Sequence, residues 1–157
     1  MDRDEFSRRI IAMLPVLHRV AFSQLTQAAD REDAVQETIR RAWEKRERLR
    51  NERYMQTWVI RILLNVCDDM RRRAKRTSPD EVTNVVAVGE CGQETPLLDA
   101  LMALPEQFRL PLQLRYVEEY SVAEVARMLR LPQGTVKSRL ARGRDKLRAM
   151  LREEVFE

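Results

Sequence analysis

The chain has 157 residues, with 29 Lys and Arg against 25 Asp and Glu, a single His and a net charge of +4. It holds 44% apolar and 34% charged residues but only 4 glycines and 6% aromatics, which argues against a turn-rich β-sandwich and for an all-α chain. No apolar run approaches a membrane span and no signal peptide is recognisable, so a cytoplasmic address is expected.

Residues 1–76 hold 18 basic and 12 acidic side chains. They open on a helix over about Asp4 to Gln27, with Phe6, Ile10, Met13, Leu14, Leu17, Val20 and Ala21 at helical spacing. Pro15 should kink or restart it. Asp30 is placed to cap a second helix, with Val35, Ile39, Ala42 and Trp43 inward. Its opposite side carries Gln36, Glu37, Arg40, Arg41, Glu44 and Lys45. A third helix, about Glu52 to Arg76 after an Asn51 cap, bears the stripe Met55, Trp58, Val59, Ile62, Leu63, Val66 and Met70. Arg61, Asn65, Asp68 and Arg72 share another face. The helix ends with five bases in residues 71–76, more than a helix dipole calls for, which suggests phosphate contacts.

Over residues 77–96 the pattern disappears, and Ser78-Pro79, Gly89, Gly92 and Pro96 punctuate an acidic stretch. Residues 77–100 contain five acids and no base. The expected architecture is two small helical domains, 1–76 and 97–157, joined by this flexible acidic linker. Helical pattern resumes near Leu97 to Leu104; Pro105 then opens a helix to about Glu118, with a bend expected at Pro111.

Ser121 and Glu124 form a capping box at the start of a short helix with Val122, Val125, Ala126 and Leu129 inward. Leu131-Pro132-Gln133-Gly134 breaks it, and a longer basic helix follows. This is the helix-turn-helix pattern. In the second helix Val136, Leu140, Leu147 and Met150 or Leu151 take the core stripe. Thr135, Ser138, Arg139 and Arg142 fall on the opposite face, where base edges are read, while Lys137, Arg144 and Lys146 flank them and suit phosphates. From Arg130 to Arg152 there are eight bases and one acid, and the whole chain runs basic, acidic, basic, as expected of two contacts with a polyanion.

Catalytic constellations are missing: the sequence has no Gly-rich phosphate loop, nucleophile elbow or HExxH. Cys67 and Cys91 lie far apart with no neighbouring His, so no metal or other cofactor is expected. Cys67 reads as a buried thiol, Cys91 as a linker residue, and His18 as a helix-surface or satisfied core residue.

Gly134-Thr135-Val136-Lys137-Ser138-Arg139-Leu140, with Arg142, Arg144 and Leu147, resembles the promoter-reading end of bacterial sigma factors of the extracytoplasmic-function class. Leu104-Pro105-Glu106, Arg109, Leu114, Arg115 and Tyr116 resemble the preceding helix. Asp30 to Glu37, with Arg41, Ala42 and Trp43, resembles the polymerase-binding helix of that class; Trp58, Arg61-Ile62, Asn65, Asp69 and Arg72 resemble its promoter-melting helix. The resemblance implies a non-enzymatic initiation factor that brings core RNA polymerase to promoters. It implies that Asp33, Gln36, Glu37, Arg40 and Arg41 dock on the β′ clamp helices. Arg61, Asn65, Arg72, Arg73 and Arg76 would handle the melted −10 element, with the loop from Arg48 to Tyr54 capturing a base. Thr135, Lys137, Ser138, Arg139, Arg142 and Arg144 would read the −35 duplex, while neighbouring helices meet the β flap. It also implies an anti-sigma factor as partner. Arg130 stands where the class often has Gly, which would strain the turn, and Gly143 stands where Ala is usual, costing about 1 kcal/mol of helix propensity. The nearest rival, a free-standing helix-turn-helix regulator, leaves the Asp30–Trp43 helix and the basic cluster at 71–76 without a role.

Overall fold

The computed structural model describes residues 1–77 and 96–156, with side chains through 152. The expected linker and Cys91 lie outside the described residues. The chain separates into two compact units, Met1–Asn84 and Val85–Glu157. Among the described residues both are helical, without strands.

Unit 1 is built from α1 (Arg3–Gln24), α2 (Ala28–Glu44) and α3 (Met55–Thr77), each packed against the other two. The Asp2 carboxylate caps α1 by accepting from the Glu5 amide at 2.8 Å. α1 continues through Pro15 without restarting, and buries Phe6, Ile10, Met13, Leu17, Val20 and Ala21. The apolar set on α1 is the one its spacing predicts, except that Leu14 is half-buried.

Two local expectations are corrected. Asp30 does not cap α2: the helix begins at Ala28, and Asp30 sits within its first turn. The reason lies in Arg31, which is buried and donates from Nε to the Leu25 carbonyl at 2.8 Å and from Nη2 to the Thr26 carbonyl at 3.0 Å. Its guanidinium also lies 4.3 Å from the centre of the Phe22 ring. The α1–α2 connection is thereby pinned, and the Arg31 amide already bonds back to Gln27. Asn51 likewise caps a single 3-10 turn, Glu52–Tyr54, and α3 starts only at Met55.

The core face of α3 is Met55, Thr57, Val59, Ile60, Leu63, Val66 and Cys67, whereas Trp58, Ile62 and Met70 are half-buried. Two helices cover α3, so its buried arc is wider than one stripe and is centred toward Ile60. On α2 the buried residues are Arg31, Ala34, Val35, Thr38 and Ala42, with Ile39 and Trp43 at the margin. Each fully buried Leu, Ile or Val in this core contributes roughly 1.5–3 kcal/mol over its exposed state.

Unit 2 contains α4 (Pro96–Ala103), α5 (Glu106–Leu112), α6 (Val122–Leu129) and α7 (Gln133–Phe156). The bend expected at Pro111 takes a specific form: α5 gives way to a π-helical segment, Gln113–Val117. Proline cannot donate a backbone bond, and the ladder downstream resumes in wider register, with the Glu118 amide on the Gln113 carbonyl at 3.0 Å. The capping box of α6 forms as expected, Ser121 N–H to the Glu124 carboxylate at 3.0 Å and Glu124 N–H to the Ser121 hydroxyl at 3.1 Å. α6 ends at Arg130, which is left-handed with φ 56° and ψ 45°. Val125, Ala126, Met128, Val136 and Leu140 form the helix-turn-helix core, with Val122, Leu129, Leu147, Met150 and Leu151 half-buried around it.

Candidate nucleic-acid interface

α7 enters its helix at Gln133, and its first turns are held by Val136 and Leu140 against α6 and α5. Residues opposite those anchors must face solvent. Thr135, Ser138, Arg139 and Arg142 therefore line one open concavity, together with Gly134 and with Gln107 and Phe108 of α5. Neither Arg139 nor Arg142 is held in an ion pair among the described residues. An unpaired guanidinium on such a face can form a bidentate bond to a guanine edge. Gln107 and Phe108 did not stand out in the sequence, because only tertiary packing brings α5 to this rim.

Of the three flanking cations, Lys137 and Arg144 separate from that face and Lys146 does not. Lys137 and Arg144 lie on the other flank of α7, and Arg144 is engaged: its Nη1 donates to the hydroxyl of Tyr116 in the π-helical segment. Lys146 is placed 5.4 Å from the centre of the Phe108 ring.

In unit 1, Asn65, Arg72, Arg73 and Arg76 are exposed on α3 and Arg61 is half-buried. The basic end of α3 is not uniformly available. Arg71 donates to the Gln24 side chain at 3.1 Å and pairs with Asp68, so it ties α3 back to α1. The loop before α3 is tied to α1 as well, through Arg9, which reaches both the carbonyl and the carboxylate of Glu52.

The outward side of α2 is an ion ladder. Glu44 accepts from Arg40 at 2.6 Å, Arg40 donates to Glu37 at 2.6 and 2.9 Å, and Arg41 donates to Glu37 at 2.8 Å. Arg41 then approaches Asp69 of α3 at 3.9 Å. Hydrogen bonds from Arg40 and then Arg41 hold the Glu37 carboxyl down at about 2, well below its usual 4.5. Arg40 is correspondingly raised, first by its bond to Glu37. Asp33 and Gln36 are exposed beside this ladder, Gln36 donating to Glu32 at 3.2 Å. Among the described residues no helix is long and apolar enough to cross a membrane, and no cluster of His, Cys, Asp and Glu could hold a metal ion.

Comparison with known proteins agrees with this division. Residues 10–77 match the family of sigma-70 region 2, and residues 100–149 match that of sigma-70 region 4. The ECF RNA polymerase sigma factor SigM of Mycobacterium tuberculosis is 37% identical over 139 residues, covering 86% of this chain and 71% of that protein. The ECF sigma factor SigW of Bacillus subtilis is 28% identical over 174 residues, covering 97% of this chain and 91% of SigW. Among solved structures, the sigma factor RpoE bound to the anti-sigma factor NepR from Bartonella quintana has a TM-score of 0.80 at 25% identity, over 94% of this chain and 97% of that one. CnrH bound to the cytosolic domain of CnrY has a TM-score of 0.73 at 26% identity, over 97% of this chain and 90% of that one.

Proposed function

This chain belongs to the extracytoplasmic-function sigma factors, and we propose a residue-level division of its work between the two units. It is a transcription initiation factor that binds core RNA polymerase and directs it to promoters. Within unit 1, residues 1–76 carry the region 2 match and dock on the β′ clamp helices through Asp33, Gln36, Glu37, Arg40 and Arg41. They handle the melted −10 strand through Arg61, Asn65, Arg72, Arg73 and Arg76. Within unit 2, residues 97–157 read the −35 duplex, with Thr135, Ser138, Arg139 and Arg142 toward the bases and Lys137 and Arg144 toward the backbone. Residues 77–96 connect them. The chain performs no catalysis of its own, and it works where core polymerase and promoter DNA meet, in the cytoplasm. An anti-sigma factor is its expected regulator, because the similar sigma factor RpoE is bound to the anti-sigma factor NepR in its solved structure.

The observation that carries this reading is the shared face of Thr135, Ser138, Arg139 and Arg142 on the recognition helix of a chain that also has a region 2. A free-standing regulator has no use for the second feature.

The test is transcription by the full chain with purified bacterial core polymerase on a promoter library. Promoter-selective initiation is expected only when both are present. Sequence-specific footprinting by the isolated chain, with no transcription on adding core, would overturn the reading. Arg142→Ala should change the preference among −35 sequences, since each bidentate arginine contributes about 1–3 kcal/mol of discrimination.

A further inference from the structure

We propose that Tyr116 belongs to the DNA-binding surface, where it forms with Arg144 and Lys137 a phosphodiester contact on the flank of α7 opposite Arg139. The proposal rests on the promoter-reading role given above to α7.

The starting point is the helical geometry. Residues seven apart on an α-helix differ by only about 20° around the axis, so Lys137 and Arg144 lie in line along one flank. Arg139 is two residues from Lys137, about 200° away, and so marks the far edge of the base-reading face. A helix seated in the major groove has a sugar-phosphate backbone on each side and base edges in front. Ser138 and Arg142 take the front. The Lys137–Arg144 line therefore faces one of the two groove walls.

The π-helical segment brings a third group to that wall. Tyr116 is half exposed, at 49%, and its hydroxyl accepts a hydrogen bond from Arg144. A phenol that accepts from a guanidinium still has its own O–H to donate, and the guanidinium keeps its remaining N–H groups. Both donors thus converge, ready for one acceptor outside the protein. The Arg115 guanidinium lies 5.5 Å from the centre of the Tyr116 ring, adding positive charge without occupying the hydroxyl. Asp145, the acid next to Arg144, is turned to Arg148 at 3.9 Å. Tyrosine hydroxyls and arginines are common phosphate ligands, and an anionic oxygen is the acceptor this arrangement suits. The Tyr120 amide bonds to the Leu114 carbonyl at 3.0 Å and Glu119 is left-handed at φ 62°, so the elbow leads directly into the Ser121 cap of α6. In a helix-turn-helix that first helix crosses the backbone.

The experiment measures promoter binding by the full chain on core polymerase, over a set of −35 sequences and a salt series. Tyr116→Phe keeps the ring and removes only the hydroxyl. It should weaken binding about 3- to 10-fold, the scale of one hydrogen bond, by the same factor on every sequence. Arg144→Gln should weaken binding similarly on every sequence and lower the slope of log K against log salt by about one. The double variant should lose less than the product of the two, because the pair acts together. Unchanged affinity in Tyr116→Phe would overturn the proposal, and so would a loss confined to certain sequences. A lower unfolding temperature with affinity intact would make the pair an internal strut and overturn it equally. Arg142→Ala, run alongside, separates the two levels: if it alters −35 preference while Tyr116→Phe does nothing, only the phosphate contact falls. If Arg142→Ala also leaves every sequence unaffected, the role of α7 falls with it.

Discussion

Replacing Gly143 by Ala sets two effects of opposite sign against each other. On propensity alone the change should stabilise, since Gly in a helix interior is worse than Ala by about 1 kcal/mol. The structure opposes it. A Cβ at this position would sit 2.9 Å from Leu112 Cδ1, 3.3 Å from Leu112 Cγ and 3.3 Å from Phe108 Cβ. Leu112 is itself buried, so its methyl has little room to swing away, and Phe108 Cβ is fixed to the backbone of α5. Forcing a methyl into a filled core costs roughly 1–3 kcal/mol, so the expected net is a loss of about 1 kcal/mol from unit 2. Gly134 is the internal control. Nothing lies within 4 Å of a Cβ there, so Gly134→Ala should be neutral or stabilising by up to about 1 kcal/mol.

The readout can be confined to unit 2. Both tryptophans, Trp43 and Trp58, lie in unit 1, so tryptophan fluorescence follows that unit while far-ultraviolet circular dichroism follows all helices. Urea or thermal unfolding of Gly143→Ala should show an earlier loss of helix with the fluorescence transition unmoved. For a unit of this size 1 kcal/mol corresponds to a shift of about 4–8 °C. A double-mutant cycle with Leu112→Val should show the two changes partly compensating. If Gly143→Ala raised the stability of unit 2 as Gly134→Ala does, the close approach of α7 to α5 would be refuted.

Arg130→Gly should relieve the left-handed strain at the end of α6 and raise the stability of unit 2 by about 1 kcal/mol; an unchanged or lower unfolding temperature would contradict it. The Glu37 carboxyl should titrate in the folded chain with a midpoint of about 2 by carbon-detected NMR. Because the folded value is depressed from 4.5, its stabilising contribution is fully present above pH 4.5 and is lost as pH falls toward 2; Glu37→Gln should flatten stability in that window, and an ordinary midpoint would remove the ladder. Arg31→Ala leaves two loop carbonyls without their donor and should destabilise unit 1 by roughly 2–3 kcal/mol, read by tryptophan fluorescence. In promoter binding, Arg72→Gln should lower the salt slope by about one, whereas Arg71→Gln should lower unit 1 stability with little change of slope; equal slopes lost by both would contradict the pairing of Arg71.

The parts of the fold legible in the sequence are those governed by local chemistry. Ser121 and Glu124 lie three apart and satisfy each other, so the start of α6 could be placed to the residue. The outward face of α7 was read from the core stripe Val136, Leu140, Leu147 and Met150 or Leu151, of which Val136 and Leu140 are buried. Where the deciding partner is distant in sequence, local reading fell short. Asp30 had the chemistry of a cap, but the start of α2 depends on Arg31 reaching carbonyls five and six residues back. The stripe read on α3 found Met55, Val59, Leu63 and Val66 but took in Trp58, Ile62 and Met70, which are only half-buried, and left out Ile60, because periodicity finds an apolar arc but not its edges; those depend on α1 and α2 both covering the helix. Pro111 announced a disturbance, yet that it becomes a π-helical segment holding Tyr116 against Arg144 depends on α5 crossing α7. Gly143 had no visible reason for the same cause: the Leu112 that excludes a methyl is 31 residues away.

The charges show the same division between local pattern and tertiary commitment. The sequence holds 29 cationic side chains, and their density alone points to nucleic acid. Packing then sorts them. Arg31 is committed to loop carbonyls, Arg41 to Glu37 near Asp69, and Arg71 to Gln24 and Asp68. These side chains hold helices together, and recruiting one to a phosphate would first require breaking its internal bonds. Arg72, Arg73 and Arg76 at the end of α3, and Arg139 and Arg142 on α7, are in no ion pair among the described residues and already face solvent. They can exchange counterions for phosphates without that cost. Affinity for a polyanion therefore follows the uncommitted cations, and the committed ones set how rigidly those are presented.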